Sequence, residues 1–174
     1  MDADYDAYES DRKSVSGYGF FLGDAAFSWY SKKQTTVATS TMEAEFIAIF
    51  HGSQQGAWIR QFYDQIGLPL QEPLAIFSDS QSAIAVAKGE QTHQRSKHLD
   101  VKLMSVRERI DRKQVSLDYV STKDNCADIF TKSLSRDLFQ FHVEYLGFVS
   151  LDEILPTSNS PEGDTSISQY VDAE

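Results

Sequence analysis

LAIFSDSQSAIAVAKG, residues 74–89, changes its periodicity halfway along. Leu74 to Phe77 form a short apolar run bounded by Pro73 before it and by Ser78-Asp79-Ser80 after it. Such a run reads as a buried strand covered on both faces. From Ser80 onward the spacing becomes helical: Ala83, Ile84 and Ala87 share one face, and Gly89 can end the helix. Asp79 therefore falls at the carboxyl end of a central strand, in the turn before a helix, where open α/β sheets place their ligand crevices. The plainer alternative is that Asp79 only caps that helix.

Working toward the N-terminus, Ser40 and Glu43 form an S-x-x-E capping box ahead of a long helix, about residues 41–66, closed by Gly67 and Pro69. Phe46, Ile49, Phe50, Ala57, Trp58 and Phe62 supply its apolar side. GYGFFL (17–22) and AAFSWY (25–30), separated by Gly23-Asp24, read as a hairpin. Trp29 and Trp58 are expected in the core. Residues 1–13 are acidic and tyrosine-rich, with no periodicity that assigns an element.

Toward the C-terminus, a polar connection (90–96) leads into a charged helix, about 97–113. VSLDYV (115–120) alternates as a strand, and Asp124 can cap a helix carrying Ala127, Ile129 and Phe130. A last amphipathic helix spans about 137–146 and ends at Gly147. The order of elements predicts one α/β domain over residues 1–150, a mixed sheet flanked by helices. Residues 151–174, poor in large apolar side chains and rich in Ser and acid, are expected to be a disordered acidic tail.

Composition sets limits. With 174 residues and 41% hydrophobic content, the chain can build one proper core. No run approaches the roughly 18 apolar residues of a membrane span, and no secretory signal opens the chain. The single cysteine, Cys126, excludes an internal disulfide and a cysteine-rich zinc site, and an intracellular location is expected. The net charge of −10 is uneven. Six of the 26 acids lie beyond residue 150 with no base beside them, leaving 20 acids against 16 bases before it. That balance argues neither for nor against a phosphate-bearing partner.

Four stretches offer carboxylates that could converge. Asp2 opens the chain, Glu45 sits on a largely apolar stripe of the long helix, Asp79 ends a strand, and Asp128 falls in the first turn of a helix. Burying an uncompensated charge is costly, so Glu45 calls for a partner. Clustered carboxylates without Cys or His suit Mg²⁺ or Mn²⁺. Taken singly, each acid also has an ordinary reading as a cap, a first-turn acid or a surface group.

RKSVSGY (12–18), YSKKQ (30–34), STMEAE (40–45), DSQSAI (79–84), SKH (96–98) and ADIFTK (127–132) stand in this order. From Asp2 to about Gly147 the chain closely resembles the ribonuclease H domain of copia-type retrotransposon polyproteins. The resemblance implies a mixed five-stranded sheet and an endonuclease that cuts the RNA strand of an RNA–DNA hybrid. It puts the family's metal-binding carboxylates on Asp2, Glu45, Asp79 and Asp128, with Asp4 and Glu43 as competitors at the first two positions. Two Mg²⁺ or Mn²⁺ ions about 3.5–4 Å apart would bridge the scissile phosphate, one activating water and one stabilising the leaving oxygen.

Arg95, Lys97 and His98, with Lys102, Arg107 and Arg109 beyond them, form the densest basic region. They read either as a handrail for hybrid phosphates or as a solvated helix face. Ser80 and Gln81 could reach sugar or base edges in the minor groove. His51 and His142 read as packing or surface residues. The accessory histidine that cellular relatives carry shortly before the last acid has no counterpart in residues 119–126.

In the family, the first acid ends a central strand and the domain follows a reverse transcriptase, which would be a partner in the parent polyprotein. Here only Met1 precedes Asp2, so the first strand is expected to be largely truncated and the chain to be a fragment. Three functions follow: a hybrid endonuclease, a non-catalytic remnant that binds nucleic acid or protein, and a DNA-strand-transfer enzyme of the same broad fold. The third is disfavoured because its last carboxylate would be a helical Glu.

Overall fold

A computed structural model describes residues 1–8, 12–90 and 97–149; Arg95 and the expected tail, 151–174, lie outside them. The elements in chain order are β1 (Asp2–Tyr8), β2 (Lys13–Leu22), β3 (Ala25–Lys33), α1 (Thr41–Gln65), β4 (Leu74–Ser78), α2 (Gln81–Lys88), α3 (Lys97–Asp111), β5 (Val115–Tyr119) and α4 (Arg136–Tyr145). Two short 3-10 turns, Thr122–Asp124 and Cys126–Phe130, lie between β5 and α4.

Mixed α/β architecture is thus present, but the described strands do not make one five-stranded sheet. β1, β2 and β3 form an antiparallel sheet in that order, while β4 and β5 form a separate parallel pair. β1 first pairs with β2 at Asp2 opposite Gly17, so residues 18–22 of β2 face β4 with no strand between. Met1 lies at this gap, its amino group donating to the Phe77 carbonyl at 2.7 Å. The remaining space is an apolar cavity of about 790 Å³ lined by Tyr18, Phe20, Leu22, Leu74, Ile76 and Phe77, among others.

The first strand runs on after Asp2 rather than ending at it, in a stretch to which residue periodicity assigned nothing. DADYDAY owes its extended form to the β2 edge that pairs with it, a tertiary choice that overrides weak local propensity. β4 also departs from expectation. Ile76 and Ser78 are buried, but Ala75 and Phe77, on the other face of the strand, are exposed.

α1 packs against β1 and β2 and, a turn further along near Gly56, against β4 and β5, and so joins the two sheets. Its buried stripe is Ala44, Phe46, Ile47, Ala48, Ile49, Gly52, Ser53, Gly56 and Ile59. Gly56 permits the close approach, since a Cβ there would lie 3.1 Å from Val115 Cγ1. Trp58 and Phe62 fall on the opposite side, stacked on each other at 5.7 Å and largely exposed. Trp29 is also exposed, because β3 is an edge strand whose outer face carries it. The expected core positions of both tryptophans are therefore corrected. No helix among the described residues is long and apolar enough to cross a membrane.

Candidate active site

The N-terminus of α1 is fixed first. Ser40 Oγ accepts from Glu43 N at 3.2 Å, as a capping box requires. The Glu43 carboxylate reaches one residue further back than the motif implies, accepting from Thr39 N at 2.9 Å and Thr39 Oγ1 at 2.5 Å. Gln34 then ties the helix to β2, donating to Ala44 O at 2.9 Å and Ser16 Oγ at 2.8 Å. These bonds commit Glu43 to its own helix end and leave Glu45, two residues on, facing the start of β1. There Glu45 takes a backbone hydrogen bond from Ala3.

Asp79 is delivered by the β4-to-α2 turn. Ser80, not Asp79, caps α2, its Oγ accepting from Ala83 N at 3.3 Å. The plain reading of Asp79 as a helix cap thus falls, and its carboxylate is left to other partners. Asn125 Nδ2 is one of them, donating to Asp79 Oδ1 at 3.3 Å and to Met1 O at 3.1 Å. The same Asn125, rather than Asp124, caps the turn that carries Asp128, through Oδ1 and Ala127 N at 3.3 Å. Asp124 is held by Ser121 Oγ at 2.5 Å instead.

Carboxylate oxygens of Asp2, Glu45 and Asp79 all lie within 4.8 Å of one another. Three distant segments, the start of β1, the second turn of α1 and the end of β4, therefore meet at one point. Asp128 stands beside this group rather than in it. Its Oδ2 is 3.0 Å from Lys132 Nζ, which also lies 3.7 Å from Asp2 Oδ2. Thr131 Oγ1 donates to the same Asp2 oxygen. Asp4, the alternative first acid, is not among the three.

The electrostatics fit a cation. Burial, with the charges of Asp2 and Asp79 added, pushes the Glu45 carboxyl up to about 8. Burial and then Asp2 raise Asp128 to about 6, against the pull of Lys132. Glu45 Oε2 and Asp128 Oδ1 are buried with no hydrogen-bond partner. Such orphaned acceptors are costly unless something positive meets them. An all-oxygen donor set of this kind suits Mg²⁺ or Mn²⁺, and Asp2, Glu45 and Asp79 could hold one.

Of the expected nucleic-acid contacts, Ser80 and Gln81 border an open groove of about 810 Å³ next to Asp79, with Glu90 and Tyr119. Lys97 begins α3, and His98 follows it. Further along α3, Lys102 Nζ and the Arg109 guanidinium lie 5.7 and 5.8 Å from the centre of the Phe50 ring. Arg107 turns inward, donating to Val86 O at 3.0 Å and Ala87 O at 3.3 Å at the C-terminus of α2. Arg112 pairs with Glu108 at 2.7 Å. Part of the basic helix is thus spent on structure.

Reading the residues alone missed Asn125, Thr131 and Lys132. Lys132 left a signal, because it stands four residues after Asp128, the spacing at which side chains on one helical face pair. Asn125 left only a capping signal, indistinguishable from that of Asp124.

The chain is 38% identical over 149 residues to the retrovirus-related Pol polyprotein from transposon TNT 1-94 of Nicotiana tabacum, covering 86% of this chain and 11% of that protein. It is 33% identical over 146 residues to the corresponding polyprotein from transposon RE1 of Arabidopsis thaliana, and 32% over 150 residues to that from RE2. These matches cover 84% and 86% of the chain, and the chain spans about a tenth of the length of each relative. No family model matches it, and no solved structure matches it.

Proposed function

We propose that this chain, which belongs to the copia-type retrovirus-related Pol polyprotein family of transposons, is a ribonuclease H that hydrolyses the RNA strand of RNA–DNA hybrids with divalent metal. The observation that carries this reading is the meeting of Asp2, Glu45 and Asp79 within 4.8 Å, with Asp128 alongside. Three acids brought together from separate elements at the head of a parallel strand pair are costly to fold unless a cation is bound there. Bound Mg²⁺ or Mn²⁺ would supply the positive field for a phosphodiester and lower the pKa of the attacking water.

The chain's own residues orient that site. Asn125 holds Asp79 and the start of β1 together, and Thr131 fixes one oxygen of Asp2. Ser80 and Gln81 line the groove beside Asp79, and on this reading they would meet the sugar edge, where a 2′-hydroxyl tells RNA from DNA. Lys97, His98 and Lys102 would follow the phosphates along α3, as would Arg95 outside the described residues. A chemistry run by metal and water needs no side-chain nucleophile.

The test compares an RNA–DNA hybrid, an RNA duplex and a DNA duplex of one sequence, each with Mg²⁺ or Mn²⁺. Cleavage confined to the RNA strand of the hybrid and stopped by EDTA is the expected result. Cleavage of all three, or EDTA-resistant cleavage, would overturn it.

One observation favours a second reading, a non-catalytic remnant that binds nucleic acid or protein. β2 and β4 are separated by an apolar cavity where a strand would otherwise join them. Hybrid binding without cleavage, even at high Mn²⁺, would select it.

A further inference from the structure

A side-chain cation, Lys132, belongs to the cluster, in addition to the Met1 amino group whose charge also acts on Asp2, Glu45 and Asp79. Lys132 Nζ lies 3.0 Å from Asp128 Oδ2 and 3.7 Å from Asp2 Oδ2, bridging the two most buried acids of the site. Its side chain is 34% exposed, so its outer side faces solvent while its inner side is held by carboxylates. The three acids whose oxygens approach within 4.8 Å are Asp2, Glu45 and Asp79. The site is therefore divided: three carboxylates converge on one point, and an ammonium group occupies the edge between Asp2 and Asp128.

We infer that Lys132 stands in for a second cation, so that the protein alone takes up one divalent ion, on Asp2, Glu45 and Asp79. This rests on the metal-dependent reading above and refines it, because the resemblance to the family implied two ions. A divalent ion bridging Asp2 and Asp128 needs their oxygens at about 2.0–2.1 Å for Mg²⁺. It would have to displace an ammonium already within salt-bridge reach of the same two oxygens. Like charges at that separation repel strongly in a half-buried site.

The local geometry keeps Lys132 in place. Lys132 N donates to Asp128 O at 3.1 Å, and Thr131 N donates to the same carbonyl at 3.1 Å, which closes the turn beneath the lysine. Thr131 Oγ1 holds the Asp2 oxygen that Lys132 shares. The ammonium is thus a preorganised positive charge beside the cation, and a phosphate oxygen arriving there would meet it on its solvent side.

The experiment counts bound Mn²⁺ by the paramagnetic resonance signal of the free ion, in the full chain without nucleic acid. The wild-type protein is expected to take up one equivalent. Lys132→Met is expected to take up two, the second at least tenfold more tightly than any second ion in the wild type, and Lys132→Arg to remain at one. Circular dichroism checks that each variant is folded. If Lys132→Met does not fold, the wild-type count still decides, and two tight equivalents there overturn the inference. Equal counts in folded wild type and Lys132→Met overturn it as well. The parent reading is scored separately, since no uptake by wild type, or unchanged uptake by Asp79→Asn, removes the metal site itself.

Discussion

Asn125 donates from Nδ2 to Asp79 Oδ1 at 3.3 Å, joining the loop after β5 to the end of β4. The same nitrogen reaches Met1 O at 3.1 Å, so one amide sets the spacing of two of the three segments that meet at the site. Asn125→Ala is expected to weaken Mn²⁺ binding by about 10–100-fold, the usual cost of losing a group that orients metal ligands. Titration calorimetry checks this. Binding within twofold of wild type would show that Asp79 is positioned without it.

Gly17 stands opposite Asp2 in the sheet, and a Cβ on it would fall 2.8 Å from Phe130 Cβ and 2.7 Å from Thr131 Cγ2. Gly17→Ala must therefore push away the turn that carries Asp128, Thr131 and Lys132. The expected cost is about 1–3 kcal/mol, as for overpacking elsewhere, with a matching loss of Mn²⁺ affinity. Urea unfolding and metal titration of the same sample measure both. An unchanged midpoint would mean that the turn yields freely.

The pH dependence of the metal-free protein follows from Glu45. Its carboxyl is raised from 4.5 to about 8 in the fold, so between those values the folded state binds a proton that the unfolded state has released. Stability in EDTA should fall as pH rises from about 4.5 to about 8 and level off above. Asp128, raised from 3.8 to about 6, adds a loss of the same sign over the lower part of that window. Glu45→Gln should flatten the profile, and metal uptake should release protons below pH 8. Thermal melts of wild type and Glu45→Gln across this range test it, and a wild-type profile that rises with pH relative to the variant's would contradict it.

Arg107 is expected to act on stability rather than on substrate. Its guanidinium accompanies Gly89 at the end of α2, satisfying the carbonyls of Val86 and Ala87. Arg107→Ala should cost about 1 kcal/mol and leave hybrid affinity within twofold. Lys102→Ala, on the same helix as Arg107 and beside Phe50 of α1, should weaken hybrid binding and reduce its salt dependence. The reverse pattern would reassign the handrail.

Much of this was legible in the residues because it is local. The strand-to-helix switch at Ser78-Asp79-Ser80, the αL glycine at 89 and the Ser40 cap each depend on neighbours within four positions, and each is present as read. What failed depends on distant partners. β1 exists because β2 offers an edge; Trp58 and Phe62 lie outside because the buried stripe of α1 is set by two sheets at once. The separation of the described strands into two sheets likewise depends on pairing between distant segments. The tie of Lys132 to Asp2 was hidden for a related reason, since it crosses 130 positions.

The most direct test is the rate of RNA cleavage in a labelled RNA–DNA hybrid by wild type, Asp79→Asn and Glu45→Gln, with Mn²⁺ and matched folding controls. If acids from three distant segments grip a catalytic cation, each substitution should slow cleavage by roughly 10²–10³-fold, as removing one preorganised charge-stabilising contact does. Cleavage by both variants at the wild-type rate would contradict that claim.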